Sequence, residues 1–209
     1  VPHCLPSTQP APGRSPALWH AGGWRRTAGW GLLLAGLLAP SLGAEPPRHQ
    51  YEVKAALLHS FTKFVQWPEA CLQDAPYPFV IGILGKDPFG TRIDLVLDGK
   101  TAQGRPILIR RVDSIEAVGS CHIVFFGAME PEREQRALKR LGDLPVLTIG
   151  ESDTFVERGG AIQFIRVQNR VHFRINLQAT GDAGLRIDPN LLKVASEILQ
   201  APHSNKHSE

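Results

Sequence analysis

The spacing of apolar positions changes along the chain, and each change predicts a different element. In "YEVKAALLHSFTKFVQWP", Val53, Leu57, Phe61, Phe64 and Val65 recur at helical spacing, Ala55 and Ala56 favour helix, and Pro68 ends the run. An amphipathic helix of about four turns is predicted there. "FVIGIL", Phe79 to Leu84, is continuously apolar between Pro78 and the Gly85-Lys86-Asp87-Pro88 turn, the pattern of a strand covered on both faces. Asp87, followed by Pro88 at a first helical position, predicts a helix running to about Leu97. "GRPILIRRV", "HIVFFG" and "PVLTIG" read as further strands, and "PEREQRALKRL" as a charged surface helix beginning at Pro131. Strand and helix alternate, which predicts a Rossmann-like α/β fold: a three-layer sandwich with a largely parallel central sheet and helices on both faces.

The last third changes rhythm. "AIQFIRV" and "VHFRINL" alternate apolar and polar positions on either side of a polar "QNR" break, predicting a C-terminal antiparallel hairpin with one wetter face. Its second strand turns His172, Arg174 and Asn176 outward and Val171, Phe173, Ile175 and Leu177 toward the core. "DPNLLKVASEIL" predicts a closing helix capped by Asp188, with Pro189 in its first turn. No internal repeat or heptad run is present in the sequence.

The amino-terminal residues follow none of these periods. Arg25 and Arg26 precede the apolar run "GLLLAGLLA", and "PSLGA" supplies small residues before a polar start at Glu45. This is the layout of a cleavable secretory signal peptide, with cleavage expected after Ala44. The run is short of the ~20 residues that cross a bilayer, which disfavours a retained anchor. The expected organisation is an extension and leader over 1–44, a linker over 45–50, one α/β domain over 51–200 and a disordered polar tail over 201–209. Removing Arg14, Arg25 and Arg26 with the leader takes the 23 basic residues to 20, equal to the 20 acidic ones. A neutral mature domain offers no electrostatic footprint for DNA or RNA, so no nucleic-acid partner is expected.

Export also makes the cysteines readable. Cys4 falls in the leader, which leaves Cys71 and Cys121 in an oxidising setting. An even pair there suggests one disulfide, worth on the order of 4 kcal/mol for a loop of about 50 residues; two separate buried thiols are the other reading.

Candidate catalytic chemistry is sparse. Cys121 and His122 are adjacent, so on a strand they face opposite sides and cannot form a nucleophile–base pair. His49, His59, His122, His172, His203 and His207 lack the paired spacing of a zinc site, and no metal is expected. "GILGKDPFG" lacks both GxGxxG and the P-loop GK[ST], and reads as a tight strand-to-helix turn. There is no G-x-S-x-G elbow, so neither a catalytic site nor a cofactor is expected. Arg105, Arg110 and Arg111, with His172, Arg174 and Asn176, are candidates for an anion-accepting or partner-binding surface; the alternative is a simple solvated charge row.

"YEVKAALLHSFTKFVQWP", "IGILGKDPFG", "LDGKTAQGRPILIRRV", "SCHIVFFG", "PVLTIGES", "GGAIQFIRVQNRVHFRINL" and "GLRIDPNLLKVASEIL" follow one another as in the YfiR-like family of exported bacterial proteins, which the chain resembles from Tyr51 to about Leu199. The resemblance implies a periplasmic regulator without catalytic activity. It would bind the periplasmic sensor domain of an inner-membrane diguanylate cyclase and hold it inactive, lowering cyclic-di-GMP and biofilm formation. It further implies a homodimer, sensitivity to cysteine redox state, and sequestration by an outer-membrane lipoprotein. The family's cysteines fall on Cys71 and Cys121, which leaves no pair for a second bridge. Some relatives carry the domain as the sensory part of larger proteins. A small-molecule sensing module is therefore the alternative, with a pocket beside the hairpin's polar face or at the carboxyl ends of the strands.

Overall fold

The structure, a computed structural model, describes residues 48–72 and 78–200. The expected leader, most of the linker and the expected tail lie outside the described residues.

The described residues begin with α1 (Arg48–Phe64), the expected amphipathic helix, which runs directly into a short strand β1 (Val65–Gln66). The buried face of α1 is rotated from the one that spacing implied. Tyr51, Lys54, Ala55, Leu58, Phe61, Thr62 and Val65 are buried, whereas Val53, Leu57 and Phe64 are only half-buried. Lys54, a charge placed within this buried face, is only 4% exposed.

A 3-10 turn, Glu69–Leu72, precedes β2 (Phe79–Leu84), which is buried at every position as its unbroken apolar run predicted. The next helix, α2 (Arg92–Leu97), starts later than the Asp87-Pro88 signal implied. Asp87 Oδ1 accepts from the backbone N–H of Phe89 and of Gly90, at 2.7 and 3.2 Å, closing an Asx-type turn ahead of the helix. A two-residue β3 (Thr101–Ala102) then pairs antiparallel with the start of β4 (Arg105–Val112).

β5 (Ile123–Phe126), α3 (Pro131–Leu141) and β6 (Leu147–Gly150) follow as expected. β7 (Ile162–Val167) and β8 (Arg170–Asn176) form the predicted antiparallel hairpin. Its turn residues Gln168 and Asn169 have φ of 47° and 63°, the paired positive values of a type I′ turn.

After β8 the chain departs from expectation. Asn176 caps a short α4 (Leu177–Asp182), its side chain accepting from Ala179 N at 3.0 Å. β9 (Arg186–Ile187) pairs with β1 in a separate two-stranded sheet. The closing helix, α5 (Pro189–Val194), is capped by Asp188 as predicted but ends at Ala195. The remainder becomes strand β10 (Glu197–Leu199), parallel to β8. Ser196 N donates to Phe173 O at 2.9 Å, so a hydrogen bond to the sheet displaces the next helical turn.

Among the described residues the main sheet has eight strands in the order β10-β8-β7-β6-β5-β2-β4-β3. β4, β2, β5, β6 and β7 run parallel, and the antiparallel steps lie toward the edges. Two apolar clusters flank it. One joins α1, α2 and α5 to the sheet through Leu58, Phe61, Ile93 and Leu191; the other joins α3 through Ala137, Leu138 and Leu141. This is the three-layer α/β sandwich expected, with a largely parallel sheet.

Candidate functional site

Cys71 and Cys121 line one cavity of about 450 Å³ at the amino ends of β2, β5 and β6. Arg105 and Arg110 from β4, with Ser120 and His122, complete its polar lining. Residues about 50 apart in sequence thus share a wall because β5 enters the sheet beside β2.

Each wall is held by backbone bonds. Cys121 N donates to Val118 O and His122 N to Val80 O, at 3.0 and 2.9 Å. The His122 ring stacks on Phe79, centroids 4.5 Å apart, and its Nδ1 accepts from Val80 N at 3.0 Å. An accepting Nδ1 carries no proton, so the neutral ring carries its proton on Nε2. A further hydrogen bond links the ring to the backbone of Cys71. Burial pushes the His122 pKa down and the Arg105 charge adds to that, against the opposing effect of the hydrogen bonds. His122 is therefore a neutral tether that fastens the Cys71 turn to β2. The same turn is held by the Arg105 guanidinium, which donates to Leu72 O.

Both cysteines are free thiols in this structure. Cys121 is buried, and burial pushes its thiol pKa up, only partly countered by Arg110. It is thus protonated at neutral pH and a poor nucleophile. Its sulfur lies against β2 where that strand has Gly82; a Cβ at residue 82 would come within 2.8 Å of Cys121 Sγ. Close approach of this sulfur explains a glycine inside an otherwise bulky apolar strand.

The six candidate polar residues do not form one surface. Arg105 and Arg110 join the cysteine cavity, Arg110 donating to Ser120 Oγ at 2.6 Å. Arg111 turns away and bridges Asp87 and Asp94, at 2.8 and 2.7 Å. Arg174, on β8, pairs with Glu157 at 2.7 Å and with Glu197 of β10 at 2.6 Å. His172 Nδ1 lies 3.0 Å from Ser196 Oγ, and the Asn176 amide donates to Val156 O at 2.8 Å. The hairpin's polar row thus bonds to β10 and to neighbouring turns.

Sequence reasoning put His122 at the start of a strand, facing away from Cys121, whereas β5 begins at Ile123 and both residues line one cavity; it foresaw neither the contacts of His122 nor the Lys54–Glu151 pair. The first are made with Phe79 and Val80. The second joins residues nearly a hundred positions apart, for which a single sequence carries no signal.

Similar solved chains share little sequence. One, described as a conserved domain protein from Vibrio cholerae O1 biovar El Tor str. N16961, is 11% identical with a TM-score of 0.47, over 71% of this chain and 60% of that one. Another, described as an ABC domain in complex with L-Trp from Streptococcus pneumonia, is 12% identical with a TM-score of 0.47, over 72% of this chain and 60% of that one. This chain therefore spans about 60% of the length of each. The family comparison reaches further, matching residues 51–196, which contain Cys71 and Cys121, the parallel strands β2 and β4 to β7, and the hairpin. The chain belongs to the YfiR/HmsC-like family.

Proposed function

We propose that this protein is a periplasmic, non-enzymatic negative regulator that binds the periplasmic sensor domain of an inner-membrane diguanylate cyclase and lowers cyclic-di-GMP signalling and biofilm formation. The observation that carries this reading is membership of the YfiR/HmsC-like family across residues 51–196, a regulatory rather than catalytic family. The buried, protonated Cys121 and His122, whose ring is taken up by hydrogen bonds to the backbone of Val80 and Cys71, accord with it, since neither is free to serve as nucleophile or base.

Such a regulator works by differential binding. It shifts the sensor domain only as far as it prefers the inactive conformation, and a hundredfold shift needs about 2.7 kcal/mol of preference. In the oxidised protein Cys71 and Cys121 close a single bridge across the cavity they share, which fixes the turn at Glu69–Leu72 against β5. An outer-membrane lipoprotein that sequesters the regulator, and a homodimer as its working form, belong to the same reading.

The test is cyclic-di-GMP measured by mass spectrometry in a deletion strain that keeps its diguanylate cyclases. A rise that is reversed by restoring the gene is expected; an unchanged level would count against the reading.

A further inference from the structure

The chain passes from β2 through α2 to β4 on one side of β2, then returns to β5 on the other side. α2 packs on the face that carries α1, whereas α3, after β5, packs on the opposite face. The connections leaving β2 and β5 therefore diverge to opposite faces of the sheet. A crevice opens between their carboxyl ends, where open α/β sheets bind ligands.

A cavity of about 750 Å³ occupies that crevice, on the opposite sheet end from the cysteines. Its size suits a small organic molecule. The floor is tied down, because Lys86 N donates to Ala128 O at 3.2 Å and Gly127 lies directly on the Lys86 carbonyl. A Cβ at Gly127 would stand 2.1 Å from that oxygen, so the crossing requires glycine. Phe125 and Met129 contribute apolar lining.

The charges around the cavity are not balanced. Glu151 is engaged by Lys54 at 2.9 Å and by the Tyr51 hydroxyl at 3.3 Å. Glu134 accepts from Ser152 at 2.8 Å and from Arg158 at 3.4 Å. Both carboxylates are thus compensated within the protein. Lys86 and Arg92 line the same cavity and form no ion pair among the described residues. What remains uncompensated at the rim is positive, above apolar lining.

We propose that this cavity binds a small organic anion, a carboxylic acid with an apolar body, with Lys86 and Arg92 holding the carboxylate and Phe125 and Met129 contacting the body. The site goes beyond the proposed regulation and stands or falls separately from it, since its test involves no partner protein.

The experiment is a titration of the ¹⁵N-labelled full chain with phenylacetate, phenethylamine and inorganic phosphate, followed at the amides of Gly127, Ala128 and Ser152. Phenylacetate is expected to shift these amides saturably, with affinity about tenfold weaker in Lys86→Gln and in Arg92→Gln, the loss of one charge-assisted contact. Both side chains sit at the rim, and the dispersion of each variant's spectrum reports its folding. Three results would overturn the proposal: no response to phenylacetate, an unchanged affinity in both folded variants, or tighter binding of phenethylamine or of phosphate. A variant that fails to fold is replaced by Lys86→Met or Arg92→Met and read the same way.

Discussion

Lys54 Nζ lies 2.9 Å from Glu151 Oε1, joining the first helix to the end of β6 across the apolar face of the sheet. The ammonium is also 4.5 Å from the centre of the Tyr51 ring, a cation–π distance. Lys54 is 4% exposed, whereas Glu151 is 28% exposed. Glu151→Gln leaves a buried cation without its counter-charge and is expected to cost about 3 kcal/mol. Lys54→Met replaces the ammonium with an apolar chain; Glu151 Oε1 is buried, but the side chain is 28% exposed and keeps the Tyr51 hydroxyl on Oε2, so a smaller loss of about 1–2 kcal/mol is expected. Urea unfolding of the two full-length variants checks the asymmetry, and equal losses would contradict it.

Tyr51 carries a second consequence of the same pair. Burial, then the Glu151 charge and its hydrogen bond, push the phenol pKa up to about 12. The sequence has two tyrosines, so in a Tyr77→Phe chain the remaining phenol reports on Tyr51 alone. Ultraviolet titration by rapid pH jump should show tyrosinate forming near 12 in the folded chain. Glu151→Gln should lower that value without returning it to the ordinary 10, because burial, the largest cause, remains.

Gly82 and Cys121 should be energetically coupled. Gly82→Ala places a methyl within 2.8 Å of Cys121 Sγ and is expected to cost about 2 kcal/mol through overpacking. In a Cys121→Ala background the nearest remaining atom is the Cys121 Cβ at 3.5 Å, an ordinary contact. The double variant should therefore be more stable than the sum of the singles by about 1 kcal/mol. A double-mutant cycle by chemical denaturation measures this, and strict additivity would place the sulfur elsewhere.

His122 gives the fold an acid-sensitive bond. Its pKa lies below the ordinary 6.5, mainly because it is buried, and protonation would put an N–H where Nδ1 now accepts from Val80 N. Below about pH 6.5 the unfolded chain binds a proton that the folded chain refuses. The stability linked to His122 is thus present above that pH and is lost as pH falls toward the lowered folded-state value. The difference in unfolding free energy between wild type and His122→Gln should shrink through this window. A difference that is flat with pH would show that His122 titrates normally.

The parts of the fold that were legible in the sequence were those governed by local period. β2 reads as a buried strand because all six residues are buried, and the β7–β8 hairpin reads from its alternation and its Gln168-Asn169 turn. The parts that were not legible turn on distant partners. Lys54 looks like a polar-face residue until Glu151 arrives to pair it within the buried face of α1. The segment after Val194 looks helical, yet Ile198 finds Ile175 across the sheet. Arg174 alternates outward as predicted, but Glu157 and Glu197 cover it, leaving it 15% exposed. The candidate site was half legible: Cys71 and Cys121 were singled out, but the arrangement around them depends on β5 lying beside β2.

The most direct measurement of the regulatory reading is a pull-down from solubilised inner membranes of the native bacterium with the full-length protein, once oxidised and once reduced, followed by mass spectrometry. Recovery of a membrane diguanylate cyclase with the oxidised protein, and its loss on reduction or in Cys71→Ala, is the predicted result. Eluates without any cyclase in both redox states would contradict it.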